Sequence, residues 1–156
     1  MITIEIPGNK TIEAKDLVLD FNGTLALDGK MIKGTPELLC ALSQKLNIHV
    51  LTADTFGTSK QELHGIPCKL QILSSSSQDK QKEKYVLNLG KEQVVSIGNG
   101  RNDLLMLRRA VLGIMVIEKE GAFAQLTRHA DIICFSIADA LNLLLNPRRI
   151  TATCRN

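Results

Sequence analysis

Three apolar runs in this 156-residue sequence end on polar residues that could share one reaction site. In the first, LVLDFNGTLALDGK at 17–30, Leu17 to Asp20 reads as a buried strand with no apolar–polar alternation. The strand ends on the carboxylate of Asp20. Phe21, Asn22, Gly23 and Thr24 follow, the glycine permitting a sharp turn. In the second, Ile48 to Leu51 exits into Thr52-Ala53-Asp54-Thr55. In the third, Val94 to Ile97 exits into Gly98-Asn99-Gly100-Arg101-Asn102-Asp103. A carboxylate at the carboxyl end of a central strand, beside a tight polar turn, is where open α/β sheets place their chemistry. Any one of these exits alone reads equally well as an ordinary strand-to-loop junction. Their convergence on one sheet edge points to a site.

The elements that must position these residues follow from periodicity and punctuation. Residues 2–6 and 11–14 read as a β-hairpin about Pro7-Gly8-Asn9-Lys10. Leu25 to Ile32, centred on Asp28-Gly29, reads as a flap beside Asp20. Gly34-Thr35-Pro36-Glu37 predicts a helix with Thr35 as N-cap and Pro36 at N1, its apolar stripe Leu38, Leu39, Leu42 and Leu46. A short helix at 58–64, a strand at 68–73 and a polar helix from Lys80 to Leu89, closed by Gly90, come next. After Asp103 a helix turns Leu104, Leu105, Leu107 and Ala110 inward. A strand at 112–117, a helix at 121–130, a strand at 132–135 and a helix at 138–145 complete the pattern. Pro147 stops that last helix, leaving a basic tail, 147–156, unstructured or docked on a partner. Alternating strands and helices imply an α/β, three-layer Rossmann-like fold. Its parallel sheet is covered on both faces by right-handed crossovers, and residues 1–156 form one domain with an N-terminal hairpin at 1–15.

The 44% hydrophobic and 22% charged content is that of a soluble globular protein, and with 3% aromatics the core is Leu, Ile, Val and Ala. A net charge of +3 suits an anionic ligand; without lysine or arginine clusters interleaved with aromatics, no nucleic-acid partner is expected. Cys40, Cys68, Cys134 and Cys154 form no C-x-x-C pair and read as buried free thiols. No apolar run approaches twenty residues and no signal peptide is visible, so a cytoplasmic location and no membrane partner are expected. His49, His64 and His129 are not paired at metal spacing and read as structural.

Taken together, Asp20-Phe21-Asn22-Gly23-Thr24-Leu25, Thr52-Ala53-Asp54, the lysine-rich start of the 80–89 helix and Gly98-Asn99-Gly100-Arg101-Asn102-Asp103 resemble the four motifs of the haloacid dehalogenase-like superfamily, mostly magnesium-dependent phosphohydrolases. Within it they look closest to the phosphorylation domain of P-type ATPases and to small soluble proteins like that domain. The resemblance implies that Asp20 is the nucleophile that forms an aspartyl-phosphate. It implies that the residue at Asn22 gives its backbone carbonyl to Mg2+. It also places the phosphoryl group against Asn22, Gly23, Thr24, Thr52 and Ala53, with Arg101 in reach of substrate. A lysine neutralises Asp20 and phosphate together. Lys80, Lys82 and Lys84 compete for that role, and Lys82 has the family's apolar spacing to Tyr85 and Val86. The metal set implied is Asp20, Asn22, Asn99 and Asp103.

Two positions depart from the family. Phosphatases carry a proton-shuttling aspartate where this chain has Asn22, and a direct metal ligand where it has Asn99. An amide at each implies slower turnover and weaker metal binding. Neither gap between motifs has room for a cap domain, so water exclusion falls to a neighbouring subunit of a homo-oligomer or to a large substrate. Two functions are compatible with this pattern. One is a slow magnesium-dependent phosphatase of a phosphorylated small molecule or macromolecule. The other is a non-catalytic relative that binds phosphate or a phosphoprotein.

Overall fold

The structure is a computed structural model describing residues 1–156. The chain opens with β1 (Ile2–Glu5) and β2 (Thr11–Ala14), an antiparallel hairpin whose alternate residues are buried. β3 (Asp16–Asp20) is buried throughout, as an unbroken apolar run predicts. The flap is a two-stranded ribbon, β4 (Ala26–Leu27) and β5 (Lys30–Met31), and α1 (Thr35–Ser43) follows. Next come β6 (Asn47–Thr52), α2 (Ser59–Glu62), β7 (Lys69–Ile72) and α3 (Gln78–Leu89), the last closed by Gly90 at φ 90°. β8 (Val94–Gly98), α4 (Leu104–Arg109), β9 (Leu112–Val116), β10 (Ile132–Cys134), α5 (Ile137–Leu145) and α6 (Pro147–Cys154) complete the chain.

Six strands form one parallel sheet in the order β10-β9-β8-β3-β6-β7. From β3 the chain moves outward through β6 to β7, then crosses back to β8 on the other side of β3. The carboxyl end of β3 therefore lies at the point where winding reverses, and there a crevice must open between diverging loops. α1 and α5 pack together over one face. α3 and α4 cover the other, where Val18, Leu51, Val86, Val94 and Met106 form an apolar layer. This is the three-layer, Rossmann-like arrangement the alternation predicts, with the hairpin, the flap and no cap domain. No helix is long and apolar enough to cross a membrane.

Five details differ from the sequence reading. Gly34, at φ 85°, takes the N-cap position of α1, so Thr35 enters the first turn and buries its hydroxyl without a partner. In α4, Met106 and Leu107 face the core, while Leu104 and Leu105 are only half-buried. The segment 121–130 is not an α-helix: it holds a short 3-10 turn at Ala124–Arg128. Its backbone groups are drawn to Asn99 instead, Phe123 N–H donating to the Asn99 carbonyl at 2.8 Å and the Gly121 carbonyl accepting from Asn99 Nδ2 at 2.9 Å. The 147–156 tail is helical over Pro147–Cys154 as α6, with Pro147 opening a new helix rather than only ending the old one. Ile150 of α6 is fully buried, and Thr151 Oγ1 donates to the Glu5 carbonyl at 2.7 Å. Of the cysteines, all free, only Cys134 is buried; Cys40 is exposed.

Candidate active site

Asp20 ends β3, opposite Leu51 of β6, so Thr52 lies one residue beyond it on the neighbouring strand. The chain then turns back so tightly that the Phe21 carbonyl accepts from the N–H groups of Leu25 and Ala26 at 2.8 and 2.9 Å. Phe21 itself is fully buried and anchors that turn. Gly23 has φ 77°, and a Cβ there would stand 2.4 Å from Asn99 Nδ2. Glycine is thus required twice, for the conformation and for the close approach of the first loop to the fourth.

Lys82 is fully buried on α3, while Lys80 and Lys84 are exposed. Its Nζ stands 2.5 Å from Asp20 Oδ1 and 2.6 Å from Asp103 Oδ1. The lysine chosen on spacing is therefore the one that meets the carboxylate. Asp103 Oδ2 accepts the backbone N–H groups of Asn99 and Gly100 at 3.0 and 2.8 Å, so both its oxygens are committed to holding the fourth loop. Gly98 makes room for that carboxylate, since a Cβ there would come 2.5 Å from Asp103 Cγ. Burial, assisted by the charge of Asp103 and opposed by Lys82, pushes the Asp20 carboxyl up to about 6. Burial pulls Lys82 down, but the two carboxylates outweigh it and hold the ammonium above its ordinary value.

Asp20 Oδ2 and Asn99 Oδ1 each lie 3.2 Å from Thr24 Oγ1. The Gly121 carbonyl can only accept, so the Asn99 amide nitrogen must face it and the amide oxygen faces the Thr24 hydroxyl. Thr24 has one hydroxyl proton for these two oxygens. Asn22 Oδ1 is also buried and has no partner. A surplus of oxygen acceptors at the mouth of the site suits a hard divalent cation, which prefers oxygen ligands. The charge available is small, because Lys82 already balances one of the two carboxylates. No group of three or more acidic, histidine or cysteine side chains is arranged around a metal position.

Thr52 is buried, and its Oγ1 accepts the Asp54 N–H at 2.9 Å, an ST-turn that leaves the hydroxyl proton to be donated elsewhere. Asp54, at φ 52°, accepts from the Ser59 N–H at the start of α2, and Ala53 between them is half-buried. Arg101 is exposed. It lines a cleft of about 650 Å³ with Ser75, Gln78, Asn102, Phe123 and Gln125. Asn102 Nδ2 donates to Gln78 Oε1 at 2.8 Å, joining the fourth loop to the N-terminal turn of α3. Sequence reasoning missed the part of Gly121, because 121–130 read as helix rather than as a loop drawn onto Asn99.

No family model matches the chain. The uncharacterized protein MJ0073 of Methanocaldococcus jannaschii is 48% identical over 65 residues, which are 42% of this chain and 70% of that protein. Among solved structures, the cobalt-bound deoxy-D-mannose-octulosonate 8-phosphate phosphatase of Haemophilus influenzae superposes with a TM-score of 0.72 at 14% identity. The match covers 90% of this chain and 92% of that one. The 3-deoxy-D-manno-octulosonate 8-phosphate phosphatase of Moraxella catarrhalis, in complex with magnesium, phosphate and KDO, gives 0.68 at 18% identity over 90% of each chain. Identities this low establish a shared fold.

Proposed function

The chain belongs to the same family as MJ0073 and has the haloacid dehalogenase-like fold, and from that premise we propose that it is a phosphohydrolase with Asp20 as nucleophile. The observation that carries this reading is the buried bridge of Lys82 Nζ between Asp20 Oδ1 and Asp103 Oδ1, at the carboxyl end of the strand where winding reverses. An ion pair so fully removed from water is expensive, and purely structural cores do as well without one. At this place it keeps a nucleophile beside a fixed positive charge.

In this reading an Asp20 oxygen attacks phosphorus, the bond from phosphorus to the leaving oxygen breaks, and that oxygen departs with the electron pair. An aspartyl-phosphate results. Water then attacks phosphorus, the Asp20 carboxylate is released, phosphate departs and the proton of water passes to solvent. Lys82 offsets the charge of carboxylate and phosphoryl group together, and Thr52 donates its hydroxyl hydrogen to a phosphoryl oxygen. Asp20, Asn22 through its backbone carbonyl, and Asn99 would hold Mg2+, with Asp103 bracing the loop. Bound there, the ion supplies positive charge that lets the carboxylate approach the phosphoryl group. Asn22 cannot give a proton to the leaving oxygen or take one from water, so both halves of the cycle are slow. A long-lived aspartyl-phosphate follows, as in P-type ATPases.

The cleft beside Arg101 receives the leaving group, since Gln78 lies one helical turn before Lys82 and Asn102 adjoins Asp103. The substrate is a phosphorylated small molecule or macromolecule, with a second subunit of a homo-oligomer shielding a site that has no cap. The two amides at Asn22 and Asn99 favour one other reading, a protein that binds phosphate or a phosphoprotein without turnover. Hydrolysis of an aryl phosphate with Mg2+ separates them. Slow release of phenol that Asp20→Asn abolishes is expected. Folded wild type that binds phosphate yet releases no phenol with Mg2+ or Mn2+ overturns the enzymatic reading.

A further inference from the structure

A second polar chain crosses the layer between the sheet and α3, on the three elements that carry Asp20, Thr52 and Lys82. His49 Nε2 stands 3.0 Å from Asp16 Oδ1, which also accepts from Asn47 Nδ2 at 2.9 Å. His49 Nδ1 stands 2.9 Å from the Tyr85 hydroxyl. The imidazole and phenol rings meet edge to face, centroids 5.6 Å apart at 68°. His49 is 1% exposed and Asp16 8%. A carboxylate can only accept, so Nε2 carries a proton, and in the neutral imidazole Nδ1 then accepts from the Tyr85 hydroxyl. Burial and the Asp16 charge raise the Tyr85 hydroxyl above its ordinary value, which keeps it a donor.

The position of these residues is informative. Asp16 lies four residues before Asp20 on β3, His49 three before Thr52 on β6, and Tyr85 three after Lys82 on α3. Around them the layer is apolar: Val18, Leu51, Val86, Val94 and Met106. Apolar contacts are non-directional and leave a helix free to settle at several axial positions, whereas a hydrogen-bonded chain admits one. One residue of slippage moves α3 by about 1.5 Å, enough to take Lys82 Nζ off both carboxylates.

We propose that Asp16, His49 and Tyr85 are positioning residues that fix α3 axially against β3 and β6 and so hold Lys82 Nζ on Asp20 and Asp103. None of the three touches substrate. The inference rests on the roles given above to Asp20 and Lys82, and it concerns a reaction in which a displacement near 1 Å is worth about 100-fold in rate.

Tyr85→Phe and Tyr85→Leu test it together. Phe keeps the ring and its packing and removes only the hydroxyl; Leu removes both. The expected result is that Phe restores thermal stability to within a few degrees of wild type while kcat falls at least 10-fold and KM for an aryl phosphate stays within two-fold. Phe with wild-type kcat, the loss confined to Leu, would assign Tyr85 to packing alone and overturn the proposal. If wild type hydrolyses nothing, the enzymatic reading fails by itself and amide hydrogen exchange decides this one. Faster exchange across α3 in Tyr85→Phe, with α5 unchanged, supports the brace; unchanged exchange in α3 refutes it.

Discussion

Lys82 and Asp20 form a buried ion pair, Nζ to Oδ1 at 2.5 Å, across a sequence separation of 62 residues. With Asp103 on the same ammonium, the cluster carries two negative charges on one positive, almost wholly out of water. Lys82→Met leaves both carboxylates buried and facing each other. A loss of about 3–5 kcal/mol is expected, read as the shift in urea midpoint. Hydrolysis should fall by at least about 100-fold. Lys80→Ala and Lys84→Ala, on the exposed side of α3, should stay within about 0.5 kcal/mol of wild type with full activity. Equal loss in all three would mean that the helix, not the bridge, is what the lysines serve.

Without metal, Asp20→Asn should stabilise the protein, and only above mildly acidic pH. The Asp20 carboxyl titrates at about 6 in the folded chain against an ordinary 3.8. Below about 3.8 it is protonated in folded and unfolded chains alike, and it imposes no penalty. As pH rises from there through 6 the unfolded chain releases its proton first, so folding loses up to about 3 kcal/mol, and above 6 the penalty is complete. Asparagine carries no such penalty. In EDTA the variant should melt about 5–10 °C above wild type at pH 8, the gap closing towards pH 4. Calorimetric scans across that range check it, and a gap independent of pH would show that charge is not its source.

The parts of this molecule legible in the sequence are those set by local pattern. The unbroken run before Asp20, the exits at Thr52 and Gly98, and the alternation of elements dictate a parallel sheet with those residues at one edge. Lys82 stands apart from Lys80 and Lys84 only through the family resemblance, whose apolar spacing after the lysine falls on Tyr85 and Val86. What stayed hidden depends on partners distant in sequence. The 121–130 segment has a helical apolar spacing, but its backbone groups bond Asn99, 22 residues back in the Gly121 contact. His49 read as a lone structural histidine, and its partner Tyr85 is 36 residues away. Pro147 carries the same information whether it ends one helix or opens another; the burial of Ile150 decides it.

Asn22 makes a prediction about leaving groups. With no acid at that position, departure of the leaving oxygen depends on its own basicity. Across a series of aryl and alkyl phosphates, the rate of Asp20 phosphorylation should fall steeply as the leaving-group pKa rises. Asn22→Asp should flatten that dependence and raise turnover of alkyl phosphates by about 100-fold or more. Its new carboxyl replaces an amide oxygen that is buried without a partner, so no existing hydrogen bond to that oxygen is lost. Quench-flow measurement of the aspartyl-phosphate gives the slopes. Identical slopes in the two proteins would remove Asn22 as the cause of slow turnover.

Asn99→Asp separates metal affinity from stability. The amide nitrogen of Asn99 donates to the Gly121 carbonyl at 2.9 Å, and its oxygen lies 3.2 Å from Thr24 Oγ1, which also meets Asp20 Oδ2. Aspartate forfeits the first contact and sets a third carboxylate beside two that a single ammonium already fails to balance. The metal-free variant should therefore lose about 1–3 kcal/mol from the unpaired carbonyl alone, with charge repulsion adding to it. A divalent cation reverses the electrostatics, since the same charge that repels Asp20 attracts Mg2+. Binding only to the folded chain stabilises it by mass action. The variant should therefore melt below wild type in EDTA and recover in millimolar Mg2+, with a dissociation constant about 10- to 100-fold lower by calorimetry. A variant that is weakened in EDTA and unrescued by Mg2+ would place the ion away from Asn99, leaving that residue the purely structural task of pinning Gly121 to the fourth loop.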